Sequence, residues 1–137
     1  MQLNPYLSFN GQCEAAFRFY ERVLGGKIVM MFTYGESPQA EHASPDWRGK
    51  IMHARLMLGD QALMGSDAPG GRFEPPQGFH VSIGIDNPAE AERIFHALAE
   101  NGTVTMPIQE TFWAARFGML VDRFGIPWMI NCEKKAA

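Results

Sequence analysis

FHVSIGIDNPAEAERIFHALAENGTVTMPI, residues 79–108, predicts a strand, a helix and a second strand in close succession. FHVSIGI (79–85) is short and rich in β-formers. DNPAEAERIFHALAENG then changes period: Ala91, Ile94, Phe95 and Leu98 recur at helical spacing and make a buried stripe. Asn87 sits where a cap is wanted. Pro88 falls in the first turn, where its missing N–H costs nothing. Glu90 and Glu92 lie near the positive end of the helix dipole. Asn101-Gly102 stops the helix, and TVTMPI (103–108) is the next strand. Beyond it, a run around Ala115–Asp122 and another over Ile126–Cys132 complete the strands of this half.

The order strand, helix, strand, strand, strand occurs a second time, upstream. YLSF (6–9) is a strand. NGQCEAAFRFYERVLGGK carries Ala16, Phe17, Tyr20, Val23 and Leu24 on one helical face, with Asn10 or Gln12 as cap and Gly25-Gly26 as stop. KIVMMFTY (27–34) is a strand, and ESPQAEHASPDWRGK (36–50) a long polar loop. IMHARLML (51–58) and QALMGSD (61–67) form a hairpin across Gly59-Asp60. SDAPGGRFEPPQG (66–78), dense in Pro and Gly, joins the halves. A repeat of about 60 residues outweighs any single assignment. The expected fold is α+β: two βαβββ repeats forming a curved antiparallel or mixed sheet, helices on its convex face. Long parallel crossovers are absent, which disfavours a doubly wound sheet. The range 1–137 is read as one domain, with halves of about 1–67 and 78–134.

A chain of 137 residues can bury roughly two-thirds of its unfolded surface, so it needs no metal or disulfide merely to fold. The net charge is −3, and no Lys/Arg cluster is long enough to track phosphates, which argues against nucleic acid. Cys13 and Cys132 are far apart, one of them in a helix, and fit a reduced, cytoplasmic setting. MQLNPYLSF lacks the basic and apolar regions of a signal peptide. No run approaches the ~20 apolar residues of a membrane span.

The two βαβββ halves, with FYERVLGGK closing the first helix, resemble the vicinal oxygen chelate superfamily, which includes glyoxalase I and bleomycin-resistance proteins. The stretch ETFWAARFGMLVDRFGIPWMIN (110–131), with PYLSFNG near the start, is similar to the PhnB-like branch, whose members have often carried the name 3-demethylubiquinone-9 3-methyltransferase. The resemblance implies a homodimer and a four-ligand metal site, with one side chain from the first and last strand of each half. Carried onto this chain, those positions fall on Pro5, on or beside Met64, on His80 and on Met129. Only His80 is ligand-like. Proline offers no donor and a thioether is too soft for zinc, magnesium or manganese, so no metal site and no cofactor are expected.

The expected binding cavity is lined by His80, Ser82, Met64, Met129, Trp113, His53 and Arg55. In a strand over 79–85, Ser82 shares the face of His80. His53 and Arg55 share a face opposite Met52, Ala54 and Leu56, and alternation alone leaves that face either lining the cavity or open to water. Phe32 and Tyr34 alternate with Met31 and Thr33, which turns half of that strand toward the cavity. Trp128 alternates with Met129 and is read as core on the helix side. Asp122 is a turn former. Asp67, Glu110 and Glu133 are read as loop or strand-end carboxylates. His42 and His96 are read as exposed, and His42 with Glu41 and Asp46 as a solvated loop.

The leading functional reading is a metal-free binding protein for an unidentified small molecule; catalysis is left open. The alternative is a metal-dependent lyase, isomerase or dioxygenase of the glyoxalase type, taking ligands from outside the usual four positions. A methyltransferase is disfavoured, because no strand–glycine loop–helix signature for a nucleotide-like cofactor is present.

Overall fold

The computed structural model describes residues 1–135; the last two residues of the 1–137 range lie outside them. The chain contains two compact units, one running from Met1 to Glu74 and the other beginning at Pro75.

Unit 1 consists of β1 (Tyr6–Phe9), α1 (Cys13–Leu24), β2 (Lys27–Thr33), β3 (Ile51–Leu58) and β4 (Gln61–Asp67). Its four strands form one mixed sheet in the order β1-β4-β3-β2. β1 runs parallel to β4, and the other pairings are antiparallel. Unit 2 repeats the plan with β5 (Val81–Gly84), α2 (Pro88–Ala99), β6 (Thr103–Gln109), β7 (Ala114–Val121) and β8 (Pro127–Glu133), in the order β5-β8-β7-β6. The protein is thus α+β, built from two four-stranded mixed sheets, each with one helix, as the repeat implied.

The helices form where the sequence punctuates them. α1 ends because Gly25 takes the left-handed conformation at φ 78° and its N–H closes onto the Glu21 carbonyl at 3.1 Å. α2 begins at Pro88, with the Asn87 side chain accepting from the N–H groups of Ala89 (2.8 Å) and Glu90 (3.1 Å). α1 has no such side-chain cap at its own N-cap residue, Gln12. The group that serves it comes from β4: Asp67 Oδ1 accepts from the Cys13 N–H at 2.9 Å.

Each helix lies close on its sheet where the sheet offers a glycine. A side-chain carbon on Gly65 of β4 would stand 2.9 Å from the Phe17 ring, and one on Gly118 of β7 would stand 2.6 Å from the Phe95 ring. Those contacts mark the helix side of each sheet. In unit 1 it buries Phe9, Phe17, Tyr20, Ala54 and Leu56, and in unit 2 Phe95, Leu98, Leu120, Trp128 and Ile130.

Two expectations need correction. Tyr34 lies past the end of β2, in a short 3-10 turn over Tyr34–Glu36, and the β2–β3 pairing slips at Phe32/Thr33, so simple alternation fails there. The polar 36–50 segment is a loop, as expected, and holds a second such turn at Ala40–His42. β5 starts at Val81, which leaves His80 before the strand rather than in it. The reason is local: Val81 pairs with Trp128, so the next residue back on β8 is Pro127, which has no N–H to extend the ladder. His80 therefore precedes the strand that carries Ser82. Asp67 is at a strand end, as expected, and is only 1% exposed.

Candidate functional site

The expected site residues divide between the units. Met64, His53 and Arg55 belong to unit 1; His80, Ser82, Met129 and Trp113 belong to unit 2.

In unit 1 the sheet face away from α1 collects His53, Arg55, Met57 and Met64. Ala54 and Leu56, fully buried, point to the helix, and His53 and Arg55 to the other face. Across the ladder Arg55 lies between Met64 on β4 and Met30 on β2, and His53 lies beside Phe32 on β2. Tyr6, opposite Met64 on β1, reaches diagonally over β4, and its hydroxyl stands 3.1 Å from His53 Nδ1. The Tyr6 and His53 rings stack at 5.7 Å and 25°, and Phe32 closes on the other side of His53 at 6.0 Å. Arg55 Nε reaches the Met57 sulfur at 3.4 Å. Tyr6 was not singled out from the sequence, where it appeared only as the first residue of YLSF.

In unit 2 the corresponding face carries Ser82 beside Met129 and Met129 beside Met119. Phe117 stands opposite Asn131. Trp113 lies just before β7, half exposed, against Phe117 at 5.4 Å and Phe112 at 4.8 Å. The Asn131 Oδ1 atom is buried with no hydrogen-bond partner among the described residues. A buried polar atom without a partner costs about 1–3 kcal/mol. Asn131→Leu is accordingly expected to leave the protein as stable or to raise its unfolding free energy by about 1 kcal/mol, read from the urea midpoint.

The buried polar groups outside these faces do structural work. Asp67 accepts from Cys13 N through Oδ1 and from Ile51 N through Oδ2, at 2.9 and 2.8 Å. Its main-chain carbonyl takes the Tyr34 hydroxyl at 2.6 Å. Burial, with Asp67 nearby, holds the Tyr34 phenol above the usual range. Burial, then the charges of Asp67 and Glu14, pushes the Cys13 thiol far up, so it is not a poised nucleophile. Asp122, the expected turn former, also takes the Trp128 indole N–H at 2.8 Å, and Trp128 is core on the helix side, as expected. His42 and His96 are exposed, and His96 Nε2 lies 3.1 Å from Glu92.

The resemblance carries the superfamily's four metal-ligand positions onto Pro5, His80 and Met129 and on or beside Met64. Two thioethers, an imidazole and a proline do not make a donor set for a hard dication. Among the described residues, no three His, Cys, Asp or Glu side chains gather into a group that could hold one, His42, Glu41 and Asp46 included.

Units of this plan, each an open four-stranded mixed sheet backed by one helix, give the chain a glyoxalase-like fold. The chain belongs to the family described as 3-demethylubiquinone-9 3-methyltransferase, whose sequence profile matches residues 1–131. Protein YjdN of Escherichia coli K12 is 38% identical over 98% of this chain and 97% of its own. Protein PA1353 from Pseudomonas aeruginosa is 51% identical, with a TM-score of 0.90 over 98% of this chain and 99% of its own. A Bacillus cereus PhnB protein, described as a putative 3-demethylubiquinone-9 3-methyltransferase, is 25% identical, with a TM-score of 0.77 over 96% and 99% of the two chains. A glyoxylase/bleomycin resistance protein/dioxygenase domain from a Frankia species shares the fold at 15% identity, with a TM-score of 0.65 over 97% and 95%.

Proposed function

We propose that the protein is a receptor for a small organic molecule, held on an open sheet face without a hard divalent ion. The observation that carries this reading is the face of unit 1. There an aromatic and imidazole cluster of Tyr6, His53 and Phe32 adjoins Arg55 and three methionines, Met30, Met57 and Met64. Such a surface offers adaptable apolar contact with a few placed polar groups, which is how small-molecule sites are commonly lined. The family's methyltransferase description gains no support from the chain: its sheets are mixed and four-stranded, without the doubly wound parallel sheet that holds nucleotide-like cofactors.

A homodimer belongs to the same reading. β2 and β6 are edge strands, and they leave Val29, Met30, Val104 and Met106 exposed; unpaired edges with apolar side chains favour association. A cytoplasmic location is supported by two cysteines that are both free and buried. Among the described residues, no helix is long and apolar enough to cross a membrane.

Metal titration separates this reading from a metal-dependent lyase, isomerase or dioxygenase. A ligand present at a hundredfold over its Kd adds about 2.7 kcal/mol to stability. Zinc, manganese, nickel and magnesium are each expected to leave the thermal midpoint unchanged, and native mass spectrometry is expected to give the mass of two chains. A midpoint raised by one of these metals, and no longer raised in His80→Ala, would overturn the metal-free receptor.

A further inference from the structure

We infer that the open face of unit 1 is built for an organic anion: a carboxylate, sulfonate or phosphonate group carried on a flat apolar body. This rests on the receptor reading above and goes beyond it by naming the ligand's chemistry.

The central observation is Arg55. Its side chain is half-buried on a sheet face, yet among the described residues no carboxylate pairs with it; its recorded partner is the sulfur of Met57, at 3.4 Å from Nε. A thioether is a weak acceptor and carries no charge, so the guanidinium charge is uncompensated. The contact also uses Nε, which leaves the terminal nitrogens for a two-pronged contact with an oxyanion. Of the other arginines, Arg18, Arg93, Arg116 and Arg123 each stand within 4 Å of a glutamate, and Arg22, Arg48 and Arg72, which show no such partner among the described residues, are exposed where Arg55 is half-buried.

The second donor is His53, two residues along the same strand and on the same face. Nδ1 is engaged by the Tyr6 hydroxyl. When that hydroxyl donates, the ring proton sits on Nε2, which then offers an N–H outward. The Tyr6 and Phe32 rings on either side limit the imidazole's freedom to turn. Arg55 and His53 thus present two donors about one strand repeat apart, roughly 7 Å between Cα atoms, close enough for one oxyanion group or two oxygens of one ligand.

The apolar part of the ligand follows from what surrounds the donors. Met64 separates Tyr6 from Arg55 across the ladder, and Met30 and Met57 flank Arg55 on its other sides. A fully hydrated inorganic anion would leave these methionines and rings without use. An aromatic body would cover them and exclude water from the guanidinium, which strengthens the charge contact.

Two fluorescent probes with one scaffold test this: anilinonaphthalene sulfonate, which is anionic, and phenylnaphthylamine, its neutral counterpart without the sulfonate. The wild-type protein is expected to bind the anion at least about tenfold more tightly than the neutral probe, since a charge-assisted hydrogen bond supplies about tenfold or more in affinity. Arg55→Met should remove that preference, weakening the anion by about tenfold while leaving the neutral probe within about twofold. Arg55→Lys keeps the charge without the fork and should fall between them. His53→Gln should weaken the anion severalfold, and unchanged circular dichroism controls for folding in each variant. If both probes bind equally, or Arg55→Met leaves the anion's affinity intact, the anion inference is wrong while small-molecule binding stands. If neither probe binds, the receptor reading of this face fails with it.

Discussion

Asp67→Ala is expected to lower the unfolding free energy by about 3–5 kcal/mol. The carboxylate is almost wholly enclosed at 1% exposure, and its two oxygens serve two separate main-chain donors. Oδ1 holds the first N–H of α1 at Cys13, and Oδ2 holds the N–H of Ile51 at the start of β3. Removing the side chain strands both donors inside the protein, at about 1–3 kcal/mol each. It also removes a negative charge from the positive end of α1, where Gln12 makes no side-chain cap of its own. One acid therefore ties together the end of β4, the beginning of the helix and the strand that bears His53 and Arg55. Asp67→Asn sharpens the test. An amide has one oxygen and one NH2, so whichever way it turns, a donor faces either Cys13 N–H or Ile51 N–H. Asparagine should therefore cost nearly as much as alanine, although it is close to the same size. Urea unfolding followed by far-ultraviolet circular dichroism measures both, and an asparagine variant with a wild-type midpoint would refute the two-oxygen account.

How much of this could be read from the sequence depended on whether its physical cause was local. Gly25-Gly26, Asn87-Pro88, Asn101-Gly102 and Gly59-Asp60 act through the conformations of adjacent residues, and each marks a boundary close to where the structure puts it. The repeat was legible because it needs only the order of periods. Asp67 was not, because the donors it satisfies are main-chain groups 54 and 16 positions away, and a backbone N–H leaves no trace in residue identity. The facing of His53 and Arg55 was half legible: alternation put them on one face, but only the seating of Phe17 over Gly65 tells which face the helix covers. His80 was misplaced because its strand ends where the neighbouring strand offers Pro127, a cross-strand fact. Tyr6 was passed over as a strand residue because its partner, His53, is 47 positions away. The orphaned Asn131 oxygen was equally invisible, since burial without a partner is a property of packing.

Asp122→Asn is expected to be costly in the wild-type protein and nearly free once Trp128 is phenylalanine. The Asp122 carboxylate divides its acceptors. Oδ1 takes the N–H groups of Phe124 and Ile126 at 2.8 and 3.0 Å, holding the turn that also has Gly125 at φ 89°. Oδ2 takes the indole N–H of Trp128 at 2.8 Å, inside the core of unit 2. In the asparagine variant the amide oxygen can keep the two turn donors, but the NH2 then points at the indole N–H, donor against donor. Turning the amide the other way relieves the indole and strands both turn donors. Either choice leaves a buried group unsatisfied, at about 1–3 kcal/mol. Trp128→Phe has its own cost, since it shrinks a side chain that is 1% exposed; such large-to-small changes in a core run to about 1–3 kcal/mol or more. It also removes the indole donor, so the asparagine no longer meets a conflict there. The double variant should thus be close in stability to Trp128→Phe alone, with a coupling energy of about 1–3 kcal/mol from a double-mutant cycle. Asp122→Ala strands all three donors and is expected to lose about 4 kcal/mol, only partly recovered by Trp128→Phe because the two turn N–H groups stay unpaired. Costs for Asp122→Asn and Trp128→Phe that simply add would mean that the indole bond is not what ties this turn to the core, and that the fold of unit 2 depends on the ring's bulk alone.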